Sequence, residues 1–502
     1  MLQYFTLLLD SPVIIAAIFT IGIGGTFQYG FDVSVMTSAS PFIKDMMNET
    51  FLQRYDVSLE EWQSSLIWSF TVSILCIGGL LGSLSASLLT AKYGRKRCLL
   101  FNNFFAILGS VLMILSQRAL SFEMIMVGRF LYGINAGVSL SVHPVYLLEC
   151  TPKRLRGMVG VTVATFTSFG KFCGQLLGIR ELLGTLERWP WLLGFNGFTA
   201  LVQLLTLPFL PESPKFLLLE RGDRQACEKA LNKLWGSKDH SAAVEEMLEE
   251  KASLQNIQNR SVMELIRDQT VRWQLLTIIV TFVTLQLCGI NAVYFYSFDV
   301  LRAAGIQEDQ LGHTALGTGL CEVMTSLACF MIVENAGKKA LLFRGYAGMT
   351  VILIILTITL YLESLVSWMP YCSLALIFLF IFMFSGGPAG VTAPLPGELF
   401  MQSFKSAAYI IACTINWVGL FLVGMLFPIM VEKMDYFCFL VFLVFCAGCA
   451  LFIWFNVPET KNQTVLEIAA AFKKMHGKSE EKSGKEHTEH KINIINLYET
   501  KF

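Results

Sequence analysis

The chain alternates between long apolar runs and short polar loops. Twelve apolar segments stand out, at residues 11–31, 66–89, 98–116, 122–147, 158–179, 190–210, 273–298, 312–334, 341–362, 370–397, 406–431 and 436–457. Each holds roughly 18–28 residues, enough for a tilted helix to cross about 30 Å of hydrocarbon. The pattern predicts an all-α membrane protein with twelve transmembrane helices. A polar stretch at 212–270 separates the sixth segment from the seventh, and its "SAAVEEMLEEKASLQ" carries charges at helical spacing. Beyond residue 458 the chain turns polar again, and "KKMHGKSEEKSGKEHTEHK" reads as disordered.

Loop charge gives the segments a direction. Lys92, Arg95, Lys96 and Arg97 follow segment two, Lys153, Arg154 and Arg156 follow segment four, and Lys338, Lys339 and Arg344 follow segment eight. The opposite loops mix signs, with Lys44 beside Asp45 and Glu49, and Arg302 beside Glu308 and Asp309. Excess Lys and Arg marks the cytoplasmic face, so even-numbered segments are expected to end there and both termini to be cytoplasmic. "NET", Asn48 to Thr50, then falls in the first outer loop as a glycosylation sequon. The opening "MLQYFTLLLD" has neither a positive n-region nor a small-residue cleavage site, so no cleaved signal peptide is expected.

Composition agrees with the pattern. Of 502 residues 54% are hydrophobic and 15% charged, against about 25% charged in soluble domains. Net charge is zero, which suggests no nucleic-acid or polyanion partner. Cys76, Cys173, Cys288, Cys329, Cys413, Cys446 and Cys449 lie inside apolar runs, where thiols act as small apolar fillers. The close pair Cys446 and Cys449 is expected to face lipid or pack in the core. No metal-type spacing and no nucleophile–base–orienter arrangement stands out, so neither a metal, a cofactor nor an enzyme activity is expected.

The chain also repeats itself. "KYGRKR" after segment two is echoed by "NAGKKA" after segment eight. Glu149 and Arg156 flank the end of segment four at a spacing of seven, as Glu398 and Lys405 do at segment ten. "PESPK" closes segment six and "PETK" segment twelve. Three motifs thus recur in one order, roughly 245 residues apart, which is how the two halves of a duplicated transporter read. The expected division is a six-helix bundle at 1–211, a cytoplasmic helical linker at 212–270, a second six-helix bundle at 271–460 and a largely disordered cytoplasmic tail at 461–502. The repeated motifs supply Glu149, Glu212, Glu334, Glu398 and Glu459 opposite Arg95, Lys96, Arg156, Lys215, Lys338, Lys339 and Lys405. Individually such exposed pairs are worth about 0–1 kcal/mol. Together they are expected to form a cytoplasmic ion-pair network between the halves that breaks when the halves separate.

"GRFLYGINAG", "PVYLLECTPKRLRG", "PESPKFLL", "QLCGINAVYFY", "GELF" and "PETKNQT" together resemble the facilitative sugar transporters of the major facilitator superfamily, over residues 11 to 470. "GTFQYG", "QLCGINAVYFY" and "SGGPAG" resemble its class II branch, which carries fructose, glucose or urate. The resemblance implies two six-helix bundles with alternating access to a central sugar site, no cofactor, no obligate protein partner and a plasma-membrane location. It implies substrate contacts at Gln286, Asn291, Gln175, Tyr29, Asn416, Trp417 and Ala393. It places an outer gate at Tyr294 and Tyr296, and a broken, hinging helix at Gly386, Gly387, Pro388 and Gly390. The chain departs from the family at Ala164 and Leu285, where glutamines are usual, at Ala393, where glucose carriers have tryptophan, and at Glu322, where asparagine is usual. The reading is therefore a hexose uniporter, with a urate or other small polar solute carrier, a proton-coupled symporter and a transport-dead sensor as alternatives.

Four charges and a histidine in or at the edge of the apolar runs stand out. Lys171 is expected to snorkel or to face Glu322 across a cavity, and His143 to be a satisfied interior histidine. Asp32, followed by Arg129 in segment four, is the candidate proton site together with Glu322, because an intramembrane carboxylate is a functional-site hypothesis with its partner named. Counted from residue 11 at 1.5 Å per residue, however, Asp32 lies near the end of a roughly 30 Å span. That depth favours a wet, static partner of Arg129 at the outer boundary.

Overall fold

The computed structural model describes residues 11–152, 155–255, 257–333, 337–461 and 463–476, with the backbone alone at 156–161, 253–255 and 329–333. Glu334 and the side chains of Arg156 and Cys329 therefore lie outside the described residues, as do the amino-terminal residues 1–10 and the tail beyond 476. The described chain is helical throughout, and its spans follow the apolar pattern. Span one is Pro12–Ile23 with Thr26–Tyr55, span two Glu61–Tyr93, span three Arg95–Ser116, span four Phe122–Cys150 and span five Arg156–Leu177. Span six comprises Trp189–Leu193 and Phe195–Thr206, and span seven Arg272–Leu287 and Ile290–Phe295. Span eight is Leu311–Val333 and span nine Lys338–Leu362. Span ten is Met369–Ser385, Pro388–Thr392 and Leu395–Leu399, span eleven Gln402–Met434 and span twelve Cys438–Asn456. Nine runs among the described residues are long and apolar enough to cross a membrane; one of them, Gln402–Asn456, holds two spans, and spans five and eight complete the twelve.

Small residues let these helices approach. Gly78 and Gly82 of span two face Gly133 and Gly137 of span four so closely that a Cβ at Gly133 would stand 2.1 Å from the Leu75 carbonyl oxygen, and one at Gly78 2.2 Å from that of Phe130. The "GRFLYGINAG" stretch is thus the packing face of span four, the small-residue contact by which membrane helices gain van der Waals attraction. Spans one and five meet in the same way: a Cβ at Gly170 would lie 2.0 Å from the Phe27 carbonyl oxygen. The two six-helix bundles touch along two seams, span two against span eleven and span five against span eight.

Three expectations need correction. The first span does not end near residue 31. Its helix runs on to Tyr55, because Val33, Val35, Met36, Ala39, Ile43 and Met47 keep an apolar face against the bundle after the neighbouring positions turn polar. The expected first outer loop is therefore largely helix, with Asn48 exposed on it and Thr50 buried, its hydroxyl bonded to the Met46 carbonyl at 2.7 Å. Asp32, in consequence, is not wet but 1% exposed. The tail is not disordered from its start. Residues 465–476 are helical, capped by Thr464 and Glu467 and anchored by buried Ile468 and Phe472. His476 stacks flat on Trp273 at 3.7 Å between ring centres. Thr464, by its amide and then its hydroxyl, holds the Glu467 carboxyl below its ordinary range.

The polar stretch between the halves folds as expected into helices, Pro214–Leu219, Arg224–Trp235, Ser241–Gln255 and Val262–Arg267. Leu218, Cys227, Leu231, Val244 and Met247 give it a small core of its own. Ser213, Asp223 and Ser261 cap its helices by accepting backbone N–H bonds. This linker marks one end of the molecule, called the linker end below.

Candidate functional site

At the linker end each half builds the same device. Glu212 accepts backbone N–H bonds from Arg95 at 3.1 Å and Lys96 at 2.9 Å, where span three begins. Glu459 accepts from Lys339 at 3.4 Å, where span nine begins. Unpaired N–H groups at a helix start attract a carboxylate, which explains why an acid closes spans six and twelve. Lys96 Nζ donates to the Pro208 carbonyl at 2.9 Å and Lys339 Nζ to that of Trp454 at 3.1 Å. Arg95 faces Glu149 at 3.0 Å, and Lys338 bonds Glu398. Glu149 also accepts the Ser213 hydroxyl, and Arg95 reaches Glu220 of the linker at 2.7 Å.

The expected network is one that breaks when the halves separate, and the described pairs of its members are local ones. Each described ion pair of its members lies within one half, between that half and the linker, or, for Lys215 with Glu250, within the linker. Glu398 pairs with Lys338, and Lys405 sits beside Gly397.

In the interior, span seven breaks where the sequence showed one continuous run. Gly289 has φ +93°, and a Cβ there would lie 2.5 Å from the Phe442 ring. The break restarts the helix at Ile290 and turns Asn291 back toward the preceding turn. Asn291 Nδ2 donates to Gln286 Oε1 at 2.5 Å, and Gln286 Nε2 donates to Asn416 Oδ1 at 2.6 Å. A chain of three amides thus joins spans seven and eleven. The next residue, Trp417, donates its indole N–H to Ser83 of span two at 2.9 Å and meets the Tyr29 ring edge-on at 5.8 Å. Gln286, Asn291, Asn416, Trp417 and Tyr29 are thereby brought together beside the seam between the halves. Gln175 lies on the other seam, its amide 3.3 Å from the Thr318 hydroxyl. Ala393 is exposed at the end of Pro388–Thr392 and joins neither cluster.

Span ten is broken as its glycines and proline predict: the first helix ends at Ser385, and Gly387 stands between it and Pro388 with φ −136° and ψ −87°. Gly386 closes that first helix, and Gly390 lies exposed in the short one that follows. Tyr294 and Tyr296 are buried, 0% and 2% exposed. Thr37 of span one donates to the Tyr294 and Phe295 carbonyls at 3.1 and 3.0 Å, while the Tyr296 hydroxyl donates to the Gly424 carbonyl at 2.6 Å. The two halves therefore meet at the end of the molecule away from the linker. Thr37, Ser83 and Thr318 carry these cross-half bonds; nothing in the sequence marked them beyond being polar in an apolar run.

Asp32 and Arg129 differ from the expected ion pair. Arg129 is 1% exposed and donates to two backbone carbonyls, Asp32 at 2.7 Å and Val72 at 2.8 Å. The Asp32 carboxylate instead accepts from Asn196 Nδ2 at 2.6 Å, and its other oxygen has no partner. Around it Gln28 links Asn135 and Thr199, and Asn135 links Asn102. His143 is fully buried between Thr26 at 3.1 Å and Thr162 at 3.2 Å, a satisfied interior histidine. Lys171 does not snorkel but faces Glu322 at 3.0 Å. Cys446 and Cys449 are core residues. No group of metal-ligating side chains occurs among the described residues.

Comparison with known proteins agrees with this geometry. The family model described as "Sugar (and other) transporter" matches residues 17–472. Human solute carrier family 2, facilitated glucose transporter member 9, is 43% identical over 472 residues, covering 94% of this chain and 87% of the relative. Member 5 from Bos taurus is 40% identical over 466 residues, covering 93% of each chain, and human member 11 is 40% identical over 462 residues, covering 92% and 93%. A partially occluded, inward-open xylose transporter from E. coli superposes with a TM-score of 0.74 at 22% identity, over 90% of this chain and all of that one. The chain is thus a multi-pass membrane transporter rather than an enzyme, and it belongs to the sugar transporter family of the major facilitator superfamily, in the class II facilitative branch.

Proposed function

We propose that this chain is a facilitative hexose carrier, a uniporter of fructose or glucose that works by alternating access in the plasma membrane, with both termini cytoplasmic. The observation that carries the reading is the amide chain Asn291–Gln286–Asn416 beside Trp417 and Tyr29 at the seam. Neutral amides donate to and accept from sugar hydroxyls, and an aromatic face covers the C–H side of a sugar ring; both lie where separating halves would admit solute. The names of the relatives, facilitated glucose transporters, point the same way. In this account Gln286, Asn291 and Asn416 hold the sugar, and Gln175 lines the path. Tyr294 and Tyr296 close the outer mouth, and the Gly386–Gly390 break of span ten lets the helix bend. Ala393 widens the way for fructose where glucose carriers have tryptophan. Uptake of labelled fructose into liposomes carrying the purified protein, in competition with glucose and with urate, tests it. Competition by glucose and fructose with urate inert supports the reading. Uptake of urate alone replaces it with an organic-anion carrier, and no uptake at all leaves a sensor.

A further inference from the structure

Spans five and eight form a ladder of contacts between the halves. From the end away from the linker inward, Glu181 stands 3.7 Å from His313, Ile179 faces Gly312, and Gln175 bonds Thr318. Lys171 and Glu322 then meet at 3.0 Å, and Ser168 reaches the same carboxylate at 3.4 Å. The first rung is well exposed, with both side chains above 60%. Lys171 and Glu322 are each 7% exposed. The Lys171 ammonium also stands over the Tyr294 ring at 4.2 Å. One charge therefore belongs to the first half, the other to the second, and the aromatic that covers the cation belongs to span seven, next to the carbonyls that Thr37 holds.

We infer that Lys171 and Glu322 are a cross-half latch: their ion pair, roofed by Tyr294, holds the end of the seam away from the linker shut, and each transport cycle must break it. This rests on the alternating-access reading. The physical reason is the asymmetry of a buried pair. Closed, each charge has its partner, and the pair is the buried ionic rung of a seam whose other charged rung, Glu181 with His313, is exposed. Opened, each must be hydrated by a water-filled mouth, because an unpaired charge left in a closed seam is strongly unfavourable. The pair therefore favours two states, fully shut or open to water, and disfavours partly parted ones. The described ion pairs at the linker end, Arg95 with Glu149 and Lys338 with Glu398, each join groups of one half.

The test is thiol accessibility. Gly312→Cys puts a thiol opposite Ile179, where a Cβ has 3.9 Å of room. Its labelling by a membrane-impermeant thiol reagent is measured above that of the same chain without the added cysteine. Glu322→Gln and Lys171→Gln should each raise the labelling rate severalfold, and so should the doubly neutral K171Q/E322Q, which strands no charge and folds without that penalty. Unchanged labelling in all three overturns the inference. So does a rise confined to the single variants, since that effect belongs to the stranded charge and not to the lost latch. A chain that shows the labelling pattern but takes up no sugar keeps the latch and loses the carrier reading. Normal sugar uptake with unchanged labelling keeps the carrier and loses the latch.

Discussion

Gln286 is the middle of the amide chain and the most informative residue to remove. Its Nε2 donates to Asn416 at 2.6 Å, its Oε1 accepts from Asn291 at 2.5 Å, and it is 4% exposed. Gln286→Ala deletes two neutral hydrogen bonds, each worth about 0.5–1.5 kcal/mol net. If the amides served only to join spans seven and eleven, the whole effect would appear as lost stability. If Gln286 also bonds a sugar hydroxyl, the substrate loses one such bond as well, and KM rises about two- to twelvefold. The two amides left behind do not stay stranded in the second case, because water entering the open cavity satisfies them. The assay is zero-trans uptake over a range of sugar concentrations in liposomes, run beside thermal unfolding of the same preparation. A raised KM with a nearly unchanged maximal rate is expected, and Asn416→Ala should behave alike. A lowered melting temperature with KM unchanged would refute the reasoning and reduce the amide chain to helix glue.

Three further outcomes are expected. Glu212→Ala and Glu459→Ala should destabilise the protein by similar amounts, about 0.5–2 kcal/mol each as lost helix caps do. Denaturant melts would show it, and a large effect in one half alone would deny that the two devices are equivalent. Asp32→Asn should keep downhill uptake, because Arg129 holds the Asp32 backbone carbonyl and not its carboxylate, and Asn196 still finds an amide oxygen. Loss of uptake in folded Asp32→Asn protein would make the carboxylate essential. Ala393→Trp should lower fructose uptake more than glucose uptake, and an equal loss of both would mark general steric damage.

Much of this was legible in the sequence for a simple reason. Lipid excludes charge and demands an unbroken helix, so apolar runs and loop charges report spans directly. That the acids are duplicated was legible too, but not why: Glu212 and Glu459 each accept a backbone N–H at the start of a span, where the sequence pointed only to ion pairs. What failed was inference from the end of an apolar run to the end of a helix. Span one continues through "SVMTSASPFIKDMMNETF" because only its buried face needs to be apolar, and this carried Asp32 from the supposed boundary into the interior. Which partner within a half a charge bonds is also not written in spacing. Glu398 chose Lys338, which is 60 positions away, over Lys405, which is seven. The break at Gly289 and the meeting of Lys171 with Glu322 depend on packing between distant spans. The sequence offered a lone glycine for the first, and for the second the pairing of Lys171 with Glu322 only as one of two alternatives.

The central claim is that solute only equilibrates through this chain. Liposomes with the purified protein, labelled fructose or glucose outside and an imposed inward proton gradient test it most directly. The account predicts that internal sugar rises to the external concentration and stops there, at the same plateau with or without the gradient. Accumulation above the external concentration that collapses when the gradient is dissipated would contradict it and make the chain a proton-coupled symporter.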